Sequence, residues 1–143
     1  MDVVFSDVDG TLVGDDHHPI PQSADAIRTA CEHMMFCLVS ARSPEGLYPI
    51  QEQLGFNGPL ACYSGAYVLD HEGKELFSTT IPTADAVLIK EYVSSEFPTM
   101  TVGTYGFHTW IADDVDDPRI RNEQKLVQTT ATACKDLMST FGR

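Results

Sequence analysis

The sequence predicts an α/β fold, a parallel sheet wound with helices, and three observations carry that expectation. Val3-Val4-Phe5, Phe36-Cys37-Leu38-Val39 and Leu60-Ala61-Cys62-Tyr63 are short apolar runs with the length and composition of buried strands. Two segments with helical periodicity or helix-start signals lie between them. Beyond Ser64-Gly65-Ala66 the rhythm changes to paired strands, with a boundary placed near Thr79 to Pro82. The expected organisation is therefore residues 1–80 as the N-terminal part of a core and 81–143 as part of a second α/β unit.

Element by element, Val3-Val4-Phe5 reads as a buried parallel strand that runs into a polar turn, Ser6 to Gly14. Ser23 is the expected N-cap of the first helix, with Asp25 in its first turn and Ile27, Cys31 and Met34 at helical spacing. Ser43-Pro44-Glu45 is a cap followed by proline at the first helical position, and Pro49 should kink that helix or delay its regular part. Tyr67-Val68-Leu69 and Glu75-Leu76-Phe77 flank Asp70-His71-Glu72-Gly73, a hairpin signature. Thr83 is the expected cap of a helix with an apolar face of Ala86, Ile89 and Val93, ending near Glu96. Met100 to Tyr105 and Phe107 to Ala112 form a strand pair around Gly106, and Asp117-Pro118 starts another helix.

Composition narrows the function. The chain has 143 residues, 43% hydrophobic and 21% charged, with a net charge of −12. That balance suits a globular domain and argues against binding nucleic-acid phosphates, which needs clustered Lys and Arg. A small anionic ligand stays possible, because a divalent cation and backbone N–H groups can reverse the local field. No apolar run reaches the roughly 20 residues of a membrane span. The start, Met1-Asp2-Val3-Val4, has no signal-peptide pattern, so the cytoplasm is the expected location. Cys31, Cys37, Cys62 and Cys134 lack zinc-site spacing and are expected as reduced thiols, mostly buried.

The chemistry is concentrated in Asp7-Val8-Asp9-Gly10-Thr11-Leu12. Two carboxylates two residues apart, at the carboxyl end of an apolar strand, sit where open α/β sheets bind ligands. Such a pair calls for a cation or a shared proton, and magnesium suits an oxygen-only site that also accepts phosphate. Asp7, on the strand end, can attack phosphorus; Asp9, on the turn, can protonate a leaving alkoxide and then activate water. Gly10 allows the tight reversal that turns backbone N–H groups toward phosphate oxygens, and Thr11 adds a hydroxyl donor. A calcium loop is excluded by the missing third ligand and by the position of the glycine. Ser40 ends the second strand; its hydroxyl and the Ala41 N–H can hold a phosphate oxygen, with Arg42 adding charge, or Ser40 simply caps the next turn.

These residues resemble the haloacid dehalogenase superfamily. Asp7-x-Asp9-Gly10-Thr11-Leu12 resembles its first motif and Ser40-Ala41-Arg42 its second. Cys62-Tyr63-Ser64-Gly65-Ala66 is similar to the Asn-Gly-Ala segment of the Cof-like branch, with Ser64 in place of Asn, which puts Ser64 and Gly65 on the substrate side. The resemblance implies a Rossmann-like core with an inserted α/β cap, and a magnesium-dependent phosphatase acting on sugar phosphates or related small phosphorylated metabolites. It makes Asp7 the nucleophile, Asp9 the acid/base, Ser40 a phosphate ligand, and places Mg²⁺ on the Asp7 side chain and the Asp9 carbonyl.

The family continues past its cap to a phosphate-binding Lys and a Gly-Asp-x-x-Asn-Asp-like segment. This sequence ends within cap-like residues, so an incomplete or inactive fragment is expected. Lys125 and Lys135 are poor stand-ins for that Lys. Asp113 and Asp117, in Ala112-Asp113-Asp114-Val115-Asp116-Asp117, have the spacing of the distal metal motif, and Lys90 would then be the cation of a capless enzyme; a solvated loop is the preferred reading. Asp15, Asp16, His17 and His18 are likewise read as a solvated loop. The rival function is a non-catalytic phosphate-binding or interaction module, and a receiver-like acidic site is weaker. In the family's topology the first strand is central. Without the strands encoded after the cap, its edge is expected to be open to a second copy or to a C-terminal fragment.

Overall fold

The computed structural model describes residues 2–14 and 18–142, and the chain divides into two compact units, residues 1–79 and 80–143. Among the expected loop residues, Asp15, Asp16 and His17 lie outside the described residues.

In the first unit a five-stranded sheet has the order β1-β2-β3-β4-β5. Its strands are β1 Asp2–Asp7, β2 Met34–Val39, β3 Leu60–Cys62, β4 Tyr67–Leu69 and β5 Glu75–Ser78. The first three run parallel, and the last two continue the sheet as an antiparallel hairpin. Asp70 shapes that hairpin: its Oδ1 accepts from the Glu72 and Lys74 N–H groups at 2.8 and 2.9 Å, and Gly73 supplies the positive φ of 79°. Helices α1 Pro21–Cys31 and α2 Pro44–Leu54 make the β1–β2 and β2–β3 crossovers.

Both helices cover one face of the sheet. Val4 lies opposite Phe36 in the β1–β2 register, and Leu38 lies opposite Leu60, which lies opposite Leu69. These residues pack with Ile27 of α1 and Leu47, Ile50 and Leu54 of α2 in one core. On the other face a row crosses all five strands, Asp7, Val39, Ala61, Val68 and Phe77. That face leaves large apolar groups in solvent: Val3 is 44% exposed, Phe5 71% and Phe77 53%. Among the described residues this strand, read as buried but with an edge expected to be open, stands at the end of the sheet, and pairing with β2 along its whole length extends it to six residues.

Local signals were right where capping was strong. Ser43 caps α2 and accepts from the Gly46 N–H, Pro44 occupies the first turn, and Gly55 at φ 75° ends the helix. The helix runs continuously from Pro44 to Leu54 with Pro49 inside it. Ser23, by contrast, lies within α1, whose N-cap is Ile20 and whose first residue is Pro21, so proline at the first helical position outweighs the serine. Beyond α2, Gly58 is buried against β2: a Cβ there would stand 2.2 Å from the Phe36 carbonyl oxygen. We expect Gly58→Ala to cost about 3 kcal/mol or more, because backbone cannot yield as a side chain can. Urea unfolding that shifts by less than about 1 kcal/mol would contradict this.

The second unit contains α3 Thr83–Glu96, β6 Gly103–Gly106, β7 Thr109–Ala112, α4 Pro118–Val127, β8 Thr132–Ala133 and α5 Leu137–Phe141. Its sheet has the order β6-β7-β8, with Trp110, Ala112, Ile120 and Ala131 as its core. The ring of Tyr105 stacks on Trp110 at 4.9 Å. Asp117 caps α4 as expected, accepting from the Arg119 N–H. Its carboxyl is lowered to about 2 by hydrogen bonds from Arg119. Thr83 does not cap α3; Pro82 precedes the helix, and the Thr83 hydroxyl donates to the Phe141 carbonyl at 2.8 Å. Ile89, expected on the apolar face of α3, is 54% exposed. The β6–β7 turn is at Phe107-His108, with Phe107 at φ 51°, one step beyond the expected Gly106. Neither β8 nor α5 was expected, since two and five residues are too short to show a period.

Candidate active site

The parallel strands end together. Asp7, the last residue of β1, lies opposite Val39, and Val39 lies opposite Ala61. The segments that follow, Val8–Gly10, Ser40–Arg42 and Tyr63–Gly65, therefore meet at the carboxyl edge of the sheet. Backbone bonds join them: the Ser64 N–H donates to the Ser40 carbonyl at 2.9 Å and the Tyr63 N–H to the Arg42 carbonyl at 3.0 Å.

The Asp7–Thr11 turn is built on the Val8 carbonyl, which accepts from the N–H groups of Thr11, Leu12 and Val13 at 3.1, 2.9 and 3.0 Å. The Gly10 N–H donates to the Val13 carbonyl at 2.9 Å, and Gly10 takes φ 77° with nothing near the place of a Cβ. Val8, Leu12 and Val13 are buried, so the turn is fastened to the core from below. This differs from the expected cradle. The Gly10 and Thr11 amides hold the turn itself, and the Thr11 hydroxyl donates to Asp7 Oδ2 at 3.0 Å, orienting that carboxylate.

Ser40 is buried and its Oγ accepts from the Arg42 N–H at 3.2 Å, the capping role weighed from sequence; its own proton can still be donated to a ligand. Ala41 is exposed beside it. Arg42 departs most from expectation. Its guanidinium grips Asp9 with two bonds, Nη2 to Oδ1 at 2.6 Å and Nε to Oδ2 at 3.1 Å, while Nη1 reaches the Gly46 carbonyl at 3.5 Å. The Arg42 side chain is 6% exposed and that of Asp9 49%. The arginine therefore stands behind the aspartate rather than in front of it.

Tyr63, Ser64 and Gly65 all have positive φ, 51°, 57° and 90°. Two non-glycine residues in that region carry strain of the sort found at functional loops. The sequence signal was available in part, since Asn, which the Cof-like segment has at the Ser64 position, tolerates this conformation better than Ser. Nothing in the composition pointed to Tyr63.

For a metal, the Asp7 carboxylate and the Asp9 carbonyl are hard oxygen donors of the kind magnesium takes. Among the described residues no group of three or more His, Cys, Asp and Glu could hold a metal ion. Asp113 and Asp117 lie in the second unit and are each engaged there by a cation, Asp113 by Lys90 at 2.5 Å and Asp117 by Arg119 at 2.6 Å. The Lys90 ammonium also donates to the Lys135 carbonyl. The four thiols are free, with Cys37 and Cys62 buried and Cys31 and Cys134 half-buried. Burial pushes Cys62 up to about 12, out of reach of thiolate chemistry.

The first unit is a Rossmann-like α/β core that brings an aspartate pair and a serine to adjacent strand ends. The chain belongs to the haloacid dehalogenase-like hydrolase family, whose sequence profile matches residues 4–139. It is 32% identical over 126 residues to a putative phosphatase of Haemophilus influenzae, across 87% of this chain and 48% of that protein. Its fold matches a haloacid dehalogenase-like hydrolase from Bacteroides thetaiotaomicron with a TM-score of 0.84 at 19% identity, covering 97% of this chain and 53% of the other. It also matches a HAD subclass IIB sugar phosphatase with a TM-score of 0.77 at 14% identity, over 100% of this chain and 55% of that one. The chain spans about half the length of each of these three proteins. Among the described residues no helix is long and apolar enough to cross a membrane.

Proposed function

We propose that this chain carries the nucleophile half of a magnesium-dependent phosphatase that hydrolyses small phosphorylated metabolites, sugar phosphates among them, through an aspartyl-phosphate. The observation that carries this reading is the pair Asp7 and Asp9 on a turn anchored to the core, one carboxylate oriented by Thr11 and the other gripped by Arg42. The substrate class rests on the similarity to phosphatases. Residues 81–143 are read as part of a cap.

In this mechanism the Asp7 carboxylate attacks phosphorus, an O–P bond forms, and the bond to the substrate's alkoxide breaks. Asp9 gives its proton to that leaving oxygen. Water then attacks the phosphorus, the bond to Asp7 breaks, and Asp9 takes the proton that water releases. Ser40 donates its hydroxyl to a phosphate oxygen, with the N–H of Ala41, an exposed residue, beside it, and Gly10 shapes the turn. Ser64 and Gly65 face the substrate. Mg²⁺, held by the Asp7 side chain and the Asp9 carbonyl, would neutralise phosphate charge when bound.

Because the described residues offer a single side-chain carboxylate and one carbonyl to the metal, the 143-residue polypeptide alone is expected to bind Mg²⁺ no tighter than about millimolar and to turn over negligibly. Calorimetry showing micromolar affinity would contradict this. The phosphatase reading is tested by trapping. Incubation with Mg²⁺ and acetyl phosphate should leave a hydroxylamine-sensitive phosphoryl group on Asp7, read by peptide mass spectrometry. Label on another residue overturns the assignment of the nucleophile. Phosphate binding with no label in any preparation favours the alternative, a non-catalytic phosphate-binding or interaction module.

A further inference from the structure

The Arg42–Asp9 pair joins residues 33 positions apart, and its geometry is unlike that of a phosphate ligand. A guanidinium that receives phosphate must present free N–H groups to the solvent side of a site. Here three of the five N–H groups are engaged, Nε and one on Nη2 by Asp9 and one on Nη1 by the Gly46 carbonyl of α2, and burial withholds the rest from solvent. The side chain is 6% exposed, whereas its partner carboxylate is 49% exposed. An anion approaching this edge of the sheet meets Asp9 first. The Arg42 backbone is also fixed, its N–H by Ser40 Oγ and its carbonyl by the Tyr63 N–H. Arg42 is thus held from three sides, with Asp9 as its outward partner.

We propose that Arg42 is the positioning residue for Asp9, not a ligand of the phosphate. The inference rests on the reading of Asp9 as the acid/base and specifies how that group is aimed. A fork with two parallel N–H donors fixes the plane of a carboxylate as a single donor cannot. The two bonds are unequal, 2.6 Å to Oδ1 and 3.1 Å to Oδ2. With both oxygens engaged, the carboxylate is held in one plane and one direction from behind, and its exposed side is turned to the ligand side of the site. Removing the fork leaves the phosphate contacts in place and lets the carboxylate swing away from the leaving group.

The test uses the active protein with Mg²⁺ on two substrates, an alkyl phosphate whose poor leaving group needs a proton and p-nitrophenyl phosphate whose good one does not. Arg42→Gln should lower kcat on the alkyl ester by about 10²-fold, the range of a lost general acid. On the aryl ester the loss should stay within about tenfold. KM and competitive inhibition by inorganic phosphate should change by less than about threefold. Arg42→Lys, with one donor point in place of the fork, should fall between wild type and Arg42→Gln. In an Asp9→Asn background Arg42→Lys should cost nothing further, because the group it positions is gone.

KM and the phosphate inhibition constant both rising tenfold or more, with kcat preserved, would overturn the proposal and return Arg42 to the phosphate. Additive losses in the double variant would also overturn it. If Asp9→Asn itself leaves alkyl-ester turnover intact, the acid/base reading fails first, a separate outcome. A readout independent of turnover and of the Gln variant's folding is NMR of the Arg42 Nε–H in the 143-residue chain. Its signal should be protected from exchange in wild type and lost in Asp9→Asn; rapid exchange in wild type would refute the pair.

Discussion

Asp7→Asn is expected to lower kcat of the active protein by at least about 10⁴-fold, the scale on which loss of a covalent nucleophile leaves only binding and electrostatic stabilisation. Asparagine keeps the shape and can still accept from the Thr11 hydroxyl, a bond of 3.0 Å in the native pair. What it cannot do is form an acyl phosphate. The side chain lies at an exposed strand end, so the midpoint of thermal unfolding should move little. The measurement is release of inorganic phosphate from p-nitrophenyl phosphate with Mg²⁺, paired with an unfolding curve to show that the variant is folded. Turnover within tenfold of wild type would remove Asp7 from the nucleophile's role, whatever else the site does.

The second large effect concerns association. We propose that the outer edge of β1 recruits a further strand, from a second copy or from a separately supplied C-terminal fragment. Among the described residues β1 pairs only with β2, and Val3 and Phe5, 44% and 71% exposed, stand on its uncovered face beside that edge. A parallel sheet is normally covered on both faces, and an open apolar edge is a template for another chain. Backbone groups left unmade in a desolvated ladder cost about 1–3 kcal/mol each. At tens of micromolar the 143-residue polypeptide should therefore sediment with a mass above that of the monomer. Phe5→Lys, which puts a charge on the edge at a position contributing little to the core, should restore the monomer. A stable wild-type monomer with slow amide exchange at Val3 to Phe5 would refute the proposal.

Much of the first unit was legible because its signals are local and redundant. A β-branched run, Ser43-Pro44 at a helix start and Asp70 ahead of Gly73 each report conformation through chemistry within four residues. The errors fall where two local signals competed or where packing outvoted periodicity. Ser23 was the expected helix start, and Pro21, with its φ already set, took that place two residues earlier. Ile89 fits a helical stripe on paper, yet α3 buries no residue, since a period states which residues share a face but not whether anything covers it.

For the candidate site, the sequence by itself determined which segments come together. Asp7, Asp9, Ser40 and Arg42 each follow an apolar run that had to be a strand, and parallel strands bring their carboxyl ends to one edge. It also determined that Asp113 and Asp117 follow a run whose aromatic alternation is that of a hairpin. Only the tertiary structure decided the partners. Whether Arg42 meets phosphate or Asp9 depends on the register in which Asp7 sits opposite Val39, and on a burial that leaves the guanidinium no other outward acceptor. That Gly58 must lack a Cβ follows from the Phe36 carbonyl 22 positions earlier, and the Tyr63-Ser64 strain from bonds to Ser40 and Arg42. These are contacts between segments distant in the chain, set by packing and register, and no period or motif within one segment encodes them.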